Sequence, residues 1–480
     1  MKNQSDRNNT AFSREQRWVI VSLIFGVCLP LIDATILGVA LPDLAASLSA
    51  TVTQIQWVSV LYTLVAAVTV TICAWATRQW GTKTFWLIGL VIFTLGSGLC
   101  SVSPTINWLL VSRAVQGVGA GILMTVMQTV LVHTVGKPLL KTAMATMAVP
   151  TVLAPIAGPL LAGYLLHIGD WRMIFYINLP IGLVAIVLGW VMIAKDDLQQ
   201  ARRLPDATSQ AKNRFDGLGF MVLAPALVLL MYSLSSLSEL GRQGGGQGLN
   251  TAGTSLIGAC LLLLFVRHTR KRGEQSLIRL QVFSVGSFRA SMGLLFLSSI
   301  SFYGGLFALP LMFIQGFEQS EWLASVWVGA HGLGALVSRP YLKTLCERLG
   351  AGNTALLGCA FAVLGTVPFL WLDIQGSDLL IALTMILRGG GIGLLTLLGM
   401  SHAYHDLEQT QTPDASALSR ILTLLGASVG PAMVAILFVQ NVHSVSFQPV
   451  LMGLTLVTLA CVLPAIWLRR DERRVSVLSN

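Results

Sequence analysis

Fourteen stretches of about 20 predominantly apolar residues recur along this chain, and each is long enough to cross about 30 Å of hydrocarbon as a helix. They lie near residues 18–41, 57–76, 84–102, 107–133, 142–166, 172–194, 217–238, 251–268, 289–314, 321–343, 353–372, 378–401, 415–440 and 448–468. Lipid offers no partner to a free backbone amide, so such stretches are predicted as helices whose hydrogen bonds close internally. Only 11% of the 480 residues are charged and 54% are hydrophobic, which excludes an ordinary soluble domain. The expected class is an all-α integral membrane protein with fourteen transmembrane helices. The first stretch, from Trp18 to about Leu41, exceeds the apolar core of a secretory signal and is read as an uncleaved span.

A net charge of +10 would suggest a nucleic-acid partner if the basic residues shared one exposed surface, but they are spread along the chain. With the N-terminus in the cytoplasm, the inside segments carry Arg14 and Arg17, Arg78 and Lys83, Lys137 and Lys141, Arg202 and Arg203, Arg267 and Arg270, Lys343 and Arg348, and Arg469 and Arg470. The outside segments hold little beyond Arg172 and Arg242. The charge is thus topological: both termini are expected in the cytoplasm, and no nucleic acid is expected to bind. One inside connection breaks the pattern, "SHAYHDLEQTQTPDAS", which has no Lys or Arg. Its His402, His405 and Asp406 are of metal-ligating type but have no further His or Cys to complete a set, so a solvated loop and no metal are expected.

Three landmarks repeat. "RQWGTKTFWLIGLVIFTLG" aligns with "ERLGAGNTALLGCAFAVLG", "QGVGAG" with "RGGGIG", and "AGPLLAG" with "VGPAMVA", at offsets of 269, 272 and 272 residues. Spans 1 to 6 therefore recur as spans 9 to 14, which leaves spans 7 and 8 as an insertion. The expected division is a six-helix bundle over 1–194, linkers with the inserted pair over 195–288, and a second six-helix bundle with a basic tail over 289–480.

The local motifs carry a family resemblance. "LIDATILGVALP", "RAVQGVGAG", "APIAGPLLAG", "DWRMIFYINLPIG" and "RFDGLG" together resemble the signatures of the fourteen-span drug:proton antiporters of the major facilitator superfamily. The resemblance implies residence in the plasma membrane, the bacterial inner membrane, and export of amphipathic drugs or related small molecules against protons by alternating access. It departs in two places. Gly38 stands where the family usually has Asn, and Arg78, ahead of Gly81 and Lys83, stands where the family has an Asp that latches the outward-facing state. Glu347, the repeat counterpart of Arg78, is a candidate partner for it.

Asp33 and Arg113 each lie eight residues from an outer span end, about 12 Å deep at about 1.5 Å per residue. If spans 1 and 4 adjoin as in the family, the two charges pair, because neither tolerates solitude in low dielectric. Asp33 is then the candidate proton carrier, with Arg113 tuning it and Gln116 ordering a polar network; a static ion pair joining two helices is the alternative. Arg388, which takes the slot of Gln116 in the repeat, either disfavours cationic substrates or binds an anionic one, the alternative being that it pairs with a backbone carbonyl or snorkels. Gly117, Gly119 and Gly121 in span 4, and Gly158, Pro159 and Gly163 in span 5, permit close helix approach and bending. No phosphate-binding loop of the G-x-x-x-x-G-K-[ST] type is present, so an ion gradient rather than ATP is expected to supply energy, and no cofactor is expected. The expected partners are protons, a small-molecule substrate and membrane lipid, with a periplasmic adaptor and outer-membrane channel left open. A dedicated exporter of one metabolite, such as a siderophore or self-made antibiotic, is the second reading. A membrane enzyme or sensor is the remote one.

Overall fold

Where the polar tail ends, Ser13 starts a helix: its hydroxyl accepts from the Gln16 amide at 3.1 Å, and the Gln16 side chain accepts from the Ser13 amide at 3.0 Å. This reciprocal cap opens α1, Arg14–Ser47. The computed structural model describes residues 12–50, 52–194, 215–240, 247–319, 321–371, 377–439 and 447–478. The expected basic linker at 195–214 lies outside them. After α1 come α2 (Val52–Trp80), α3 (Thr82–Ser101), α4 (Ile106–Ile168), α5 (Met173–Tyr176), α6 (Asn178–Met192), α7 (Gly217–Leu240) and α8 (Gln247–Arg272). The remainder is α9 (Gly286–Leu311), α10 (Glu321–Ser338), α11 (Leu342–Leu349), α12 (Ala351–Leu364), α13 (Pro368–Trp371), α14 (Asp378–His402), α15 (Thr412–Val439), α16 (Gln448–Ala460) and α17 (Val462–Leu478).

Among the described residues twelve helical segments, not fourteen, are long and apolar enough to cross a membrane. The two other expected spans, 142–166 and 321–343, coincide with the far arm of α4 and with α10. α4 is one 63-residue helix by its hydrogen bonds, but it turns at Gly136, whose φ of 67° and ψ of 177° are not helical. The outward surface suits lipid rather than water: Leu95, Val111, Trp190, Met221, Leu263 and Leu379 are 61–72% exposed. The chain is a multi-pass membrane protein.

The start of α1, the end of α2 and the Gly136 bend share one membrane face with α11 and the start of α15, as the Gln16 amide bond to the Thr134 carbonyl (3.0 Å) and the Arg78–Asp414 ion pair (2.5 Å) require. This is called the basic face. Near it one apolar core runs through both repeats, joining Leu23, Val130 and Leu140 to Leu295, Leu394 and Ala415. Toward the opposite face the core divides. One cluster holds first-repeat residues such as Ile36, Leu109 and Trp171, and another holds second-repeat residues such as Leu309, Trp327 and Ile381. The molecule is therefore closed on its basic face and parted on the other.

The glycine landmarks make equivalent contacts in the two repeats. A methyl group built on Gly117 would lie 2.6 Å from the Tyr62 carbonyl oxygen, and one on Gly389 would lie 1.8 Å from that of His331, the counterpart of Tyr62. Gly96 abuts the backbone of Gln116, and Gly365 that of Arg388. Gly81 and Gly350, which begin α3 and α12, share a left-handed conformation, with φ 86° and 80°, that a side chain would strain. Gly158 also fits close approach, since a methyl there would meet the Thr35 hydroxyl at 2.0 Å. Gly163 does not, having nothing within 4 Å, so the expectation of close packing there is corrected. The Pro159 side chain lies outside the described residues. Gly158→Ala will lower thermal stability in detergent by about 1–3 kcal/mol through overpacking, whereas Gly163→Ala will leave the unfolding midpoint unchanged.

Candidate functional site

The span 1 carboxylate is held by three donors from two other helices. Arg113 Nη1 of α4 donates to Asp33 Oδ2 at 2.6 Å, Gln116 Nε2 donates to Oδ1 at 2.9 Å, and Asn178 Nδ2 of α6 reaches Oδ1 at 3.4 Å. Arg113 and Gln116 are one turn apart on α4, so one helix face presents both. A second donation from Arg113 Nη1, to Gln116 Oε1 at 2.6 Å, fixes which end of that amide faces the carboxylate. Ser97 of α3 closes the network, accepting from Gln116 Nε2 at 3.0 Å and from Asn178 Nδ2 at 2.8 Å, and donating to the Phe175 carbonyl. Asp33 and Arg113 are each 1% exposed.

Arg113 is braced further by its Nε bond to the Val58 carbonyl at 3.2 Å and by the Tyr62 ring, 4.1 Å from its guanidinium carbon. That ring face is the negative end of an aromatic quadrupole and stabilises the buried cation. The expected pair of Asp33 and Arg113, and the expected ordering role of Gln116, are thus both met in the geometry. The charge-assisted bond holds both groups strongly in so buried a site, because removing either one would leave the other's charge uncompensated.

Sequence reasoning missed Ser97, Asn178 and Tyr62. Asn178 stood inside a quoted motif without a role, although an amide in an apolar span was the available signal. Ser97 carried none, since a serine hydroxyl readily bonds its own helix. Arg388 does not join this network. Its Nη2 donates to the Ser301 carbonyl at 3.0 Å and its Nε to Thr366 Oγ1 at 3.2 Å, so the backbone-carbonyl alternative is what the structure holds.

On the basic face, Arg78 finds a partner other than the one expected. Glu347 faces its own neighbour Lys343 at 3.9 Å, while Arg78 Nη1 donates to Asp414 Oδ1 at 2.5 Å and Arg78 Nη2 to the Leu277 carbonyl at 3.1 Å. Asp414 lies in the first turn of α15, where the helix dipole favours a negative charge, and its side chain is fully buried. It also accepts from the Arg279 amide at 2.9 Å. Lys83 Nζ donates to the Trp190 carbonyl at 2.5 Å, tying α3 to α6.

The connection after span 12 is solvated only in part: His405 and Asp406 are exposed, as expected, while the residues around them are largely not. His402, Tyr404, Leu407 and Thr412 are buried, and the Tyr404 hydroxyl donates to Gln128 Oε1 of α4 at 2.6 Å. Ser416 adds a bond between the two repeats, accepting from Thr129 Oγ1 at 2.9 Å. A segment inserted between repeats has no use for solvated lysines, which accounts for their absence from this one loop.

A second buried carboxylate, Asp216, joins the inserted pair to the same place. It accepts from the Gly219 amide at 2.9 Å, His268 Nε2 at 3.0 Å, Arg272 Nη1 at 2.6 Å and the Leu277 amide at 3.2 Å. Burial alone would raise this carboxyl, but the Gly219 amide, His268 and the Leu277 amide together hold it below the ordinary carboxylate range.

Comparison with known proteins agrees with this architecture. Residues 23–431 match the sequence model of the Major Facilitator Superfamily. The "Multidrug resistance protein B homolog" of Mycobacterium tuberculosis is 29% identical over 408 residues, which cover 85% of this chain and 73% of that protein. Among solved structures, the human organic anion transporter MFSD10 (TETRAN) superposes with a TM-score of 0.66 at 16% identity, covering 94% of this chain and 99% of the other. A double Trp mutant of XylE superposes with a TM-score of 0.62 at 13% identity, covering 96% of each. At those identities the two likenesses show the fold alone.

Proposed function

We propose that this chain, which belongs to the major facilitator superfamily, is a proton-coupled exporter of amphipathic drugs or related small molecules in the bacterial inner membrane. The observation that carries the reading is the buried Asp33–Arg113 pair at 2.6 Å, a charge pair through which a membrane interior can bind and release a proton. The multidrug name of the Mycobacterium relative supports the substrate class.

In this proposal the basic face is cytoplasmic, with both termini there. Fourteen spans form two bundles, 1–194 and 289–480, with the inserted pair between them. The described conformation, closed on the basic face, is then outward-facing. Asp33 takes a proton from outside, Arg113 is released from its counter-ion, and the bundles rock. Return requires opening the basic face, which breaks Arg78–Asp414, Tyr404–Gln128 and Thr129–Ser416 together. The glycine contacts at Gly117, Gly121 and Gly158 let helices slide at close range during that motion.

The reading predicts that everted vesicles carrying the protein accumulate an amphipathic dye when their lumen is acidified, and that a protonophore returns the signal to that of vesicles without the protein. Accumulation that survives the protonophore would remove proton coupling from the proposal.

A further inference from the structure

Away from the basic face, the described interior holds more positive than negative charge. Asp33 neutralises Arg113, but Arg388 and Arg420 have no carboxylate partner among the described residues. Arg388 at least bonds Ser301 and Thr366; among the described residues Arg420 has no hydrogen-bond partner, and its Nε is buried.

Arg420 lies eight residues into α15, about 12 Å from its basic end and one turn beyond the contact of Ser416 with Thr129. It is partly exposed, unlike the residues just before it, so it stands where the closed seam ends and the parted region begins. The ionisable groups within its electrostatic reach are the hydroxyls of Tyr303 on α9 and Tyr62 on α2. Tyr62 is 7% exposed, and its hydroxyl is also without a hydrogen-bond partner. Two donors without hydrogen-bond partners, from opposite repeats, thus lie within electrostatic reach of one another. Water could satisfy their hydrogen bonds, but it would leave a cation at membrane depth uncompensated. A group with anionic oxygens would satisfy both.

We infer that Arg420 and Tyr62 form the polar end of the substrate site, and that the substrates selected are amphipathic organic anions bearing a carboxylate or sulfonate. This rests on the exporter reading and narrows its substrate class. Tyr62 also gives the site a path to the proton carrier, because its ring lies against Arg113 while its hydroxyl faces the anion. Cationic amphiphiles would meet Arg420 as repulsion, a second element of specificity beside the attraction for anions.

The test uses full-length protein in proteoliposomes with two aromatic probes, anilinonaphthalene sulfonate and ethidium, under an imposed proton gradient. Wild type is expected to transport the sulfonate in preference to ethidium. Arg420→Gln is expected to reduce sulfonate transport about tenfold or more, as for loss of a charge-assisted bond, and Arg420→Lys to retain most of it. Tyr62→Phe, which removes only the hydroxyl, is expected to weaken it several-fold. Sulfonate transport by Arg420→Gln at the wild-type rate, or a wild type that carries ethidium and not the sulfonate, overturns the inference. If wild type moves neither probe, it is the exporter reading that fails, and equilibrium binding of the sulfonate to purified protein decides the site separately. Binding weakened about tenfold by Arg420→Gln upholds it, and binding that is absent or unchanged overturns it.

Discussion

Asp33→Asn will abolish export driven by a pH gradient, reducing it to the level seen with a protonophore, while the protein still inserts in the membrane. Asparagine preserves the shape of the carboxyl but carries no exchangeable charge, and it leaves Arg113 buried without a counter-ion. That uncompensated cation should lower stability by about 3–5 kcal/mol, visible as a reduced unfolding midpoint in detergent. The double variant Asp33→Asn, Arg113→Gln removes the stranded charge, so it should recover most of the stability and none of the coupled transport. A merely structural pair predicts recovery of both. Uphill, gradient-driven export by either variant would sink the assignment of Asp33 as proton carrier.

The second large effect concerns the basic-face closure. Asp414→Ala will shift the molecule toward opening on that face, because it strips a buried carboxylate from both Arg78 and the Arg279 amide. Arg78 is 10% exposed, so water recovers part of the loss, and about 2–3 kcal/mol is the expected shift. The reporter is Ser416→Cys, buried at the junction of the repeats, in a background where exposed Cys260 is replaced by Ser. Its labelling by a maleimide should accelerate about 30–100-fold on adding Asp414→Ala, by the usual tenfold per about 1.4 kcal/mol. Exchanging the charges, Arg78→Asp with Asp414→Arg, should bring the rate most of the way back. Equal labelling with and without Asp414→Ala would mean that the ion pair does not hold the face closed.

The helices and the central pair could be read from the sequence because their signals are local and costly. A charge in an apolar run has few solutions, so Asp33 and Arg113 implied each other once their depths agreed. The repeat, too, was legible in the spacing of glycines, whose contacts recur in both halves. Partners across the repeats were not legible. Arg78 lies 336 positions from Asp414, and nothing local distinguishes that acid from Glu347, which the repeat itself suggested. The loop from His402 to Asp414 was legible only in part: His405 and Asp406 are exposed as expected, but burial between repeats and exposure to water both produce polar sequences, which hid His402, Tyr404 and Thr412. Serine and asparagine within helices carry too little cost to announce a role, which hid Ser97 and Asn178. Gly163 shows the converse, a motif residue with open space beside it.

The undivided apolar core at the basic face has a thermal consequence. Opening there would wet Leu140, Leu295, Leu394 and their neighbours, so the open form should have the higher heat capacity. Apolar contacts of this kind weaken on cooling, and so does the buried Arg78 ion pair, because desolvating its charges costs more as temperature falls. The balance between the two conformations is therefore set partly by temperature, and a cell growing in the cold would hold this carrier shut less firmly than one growing warm.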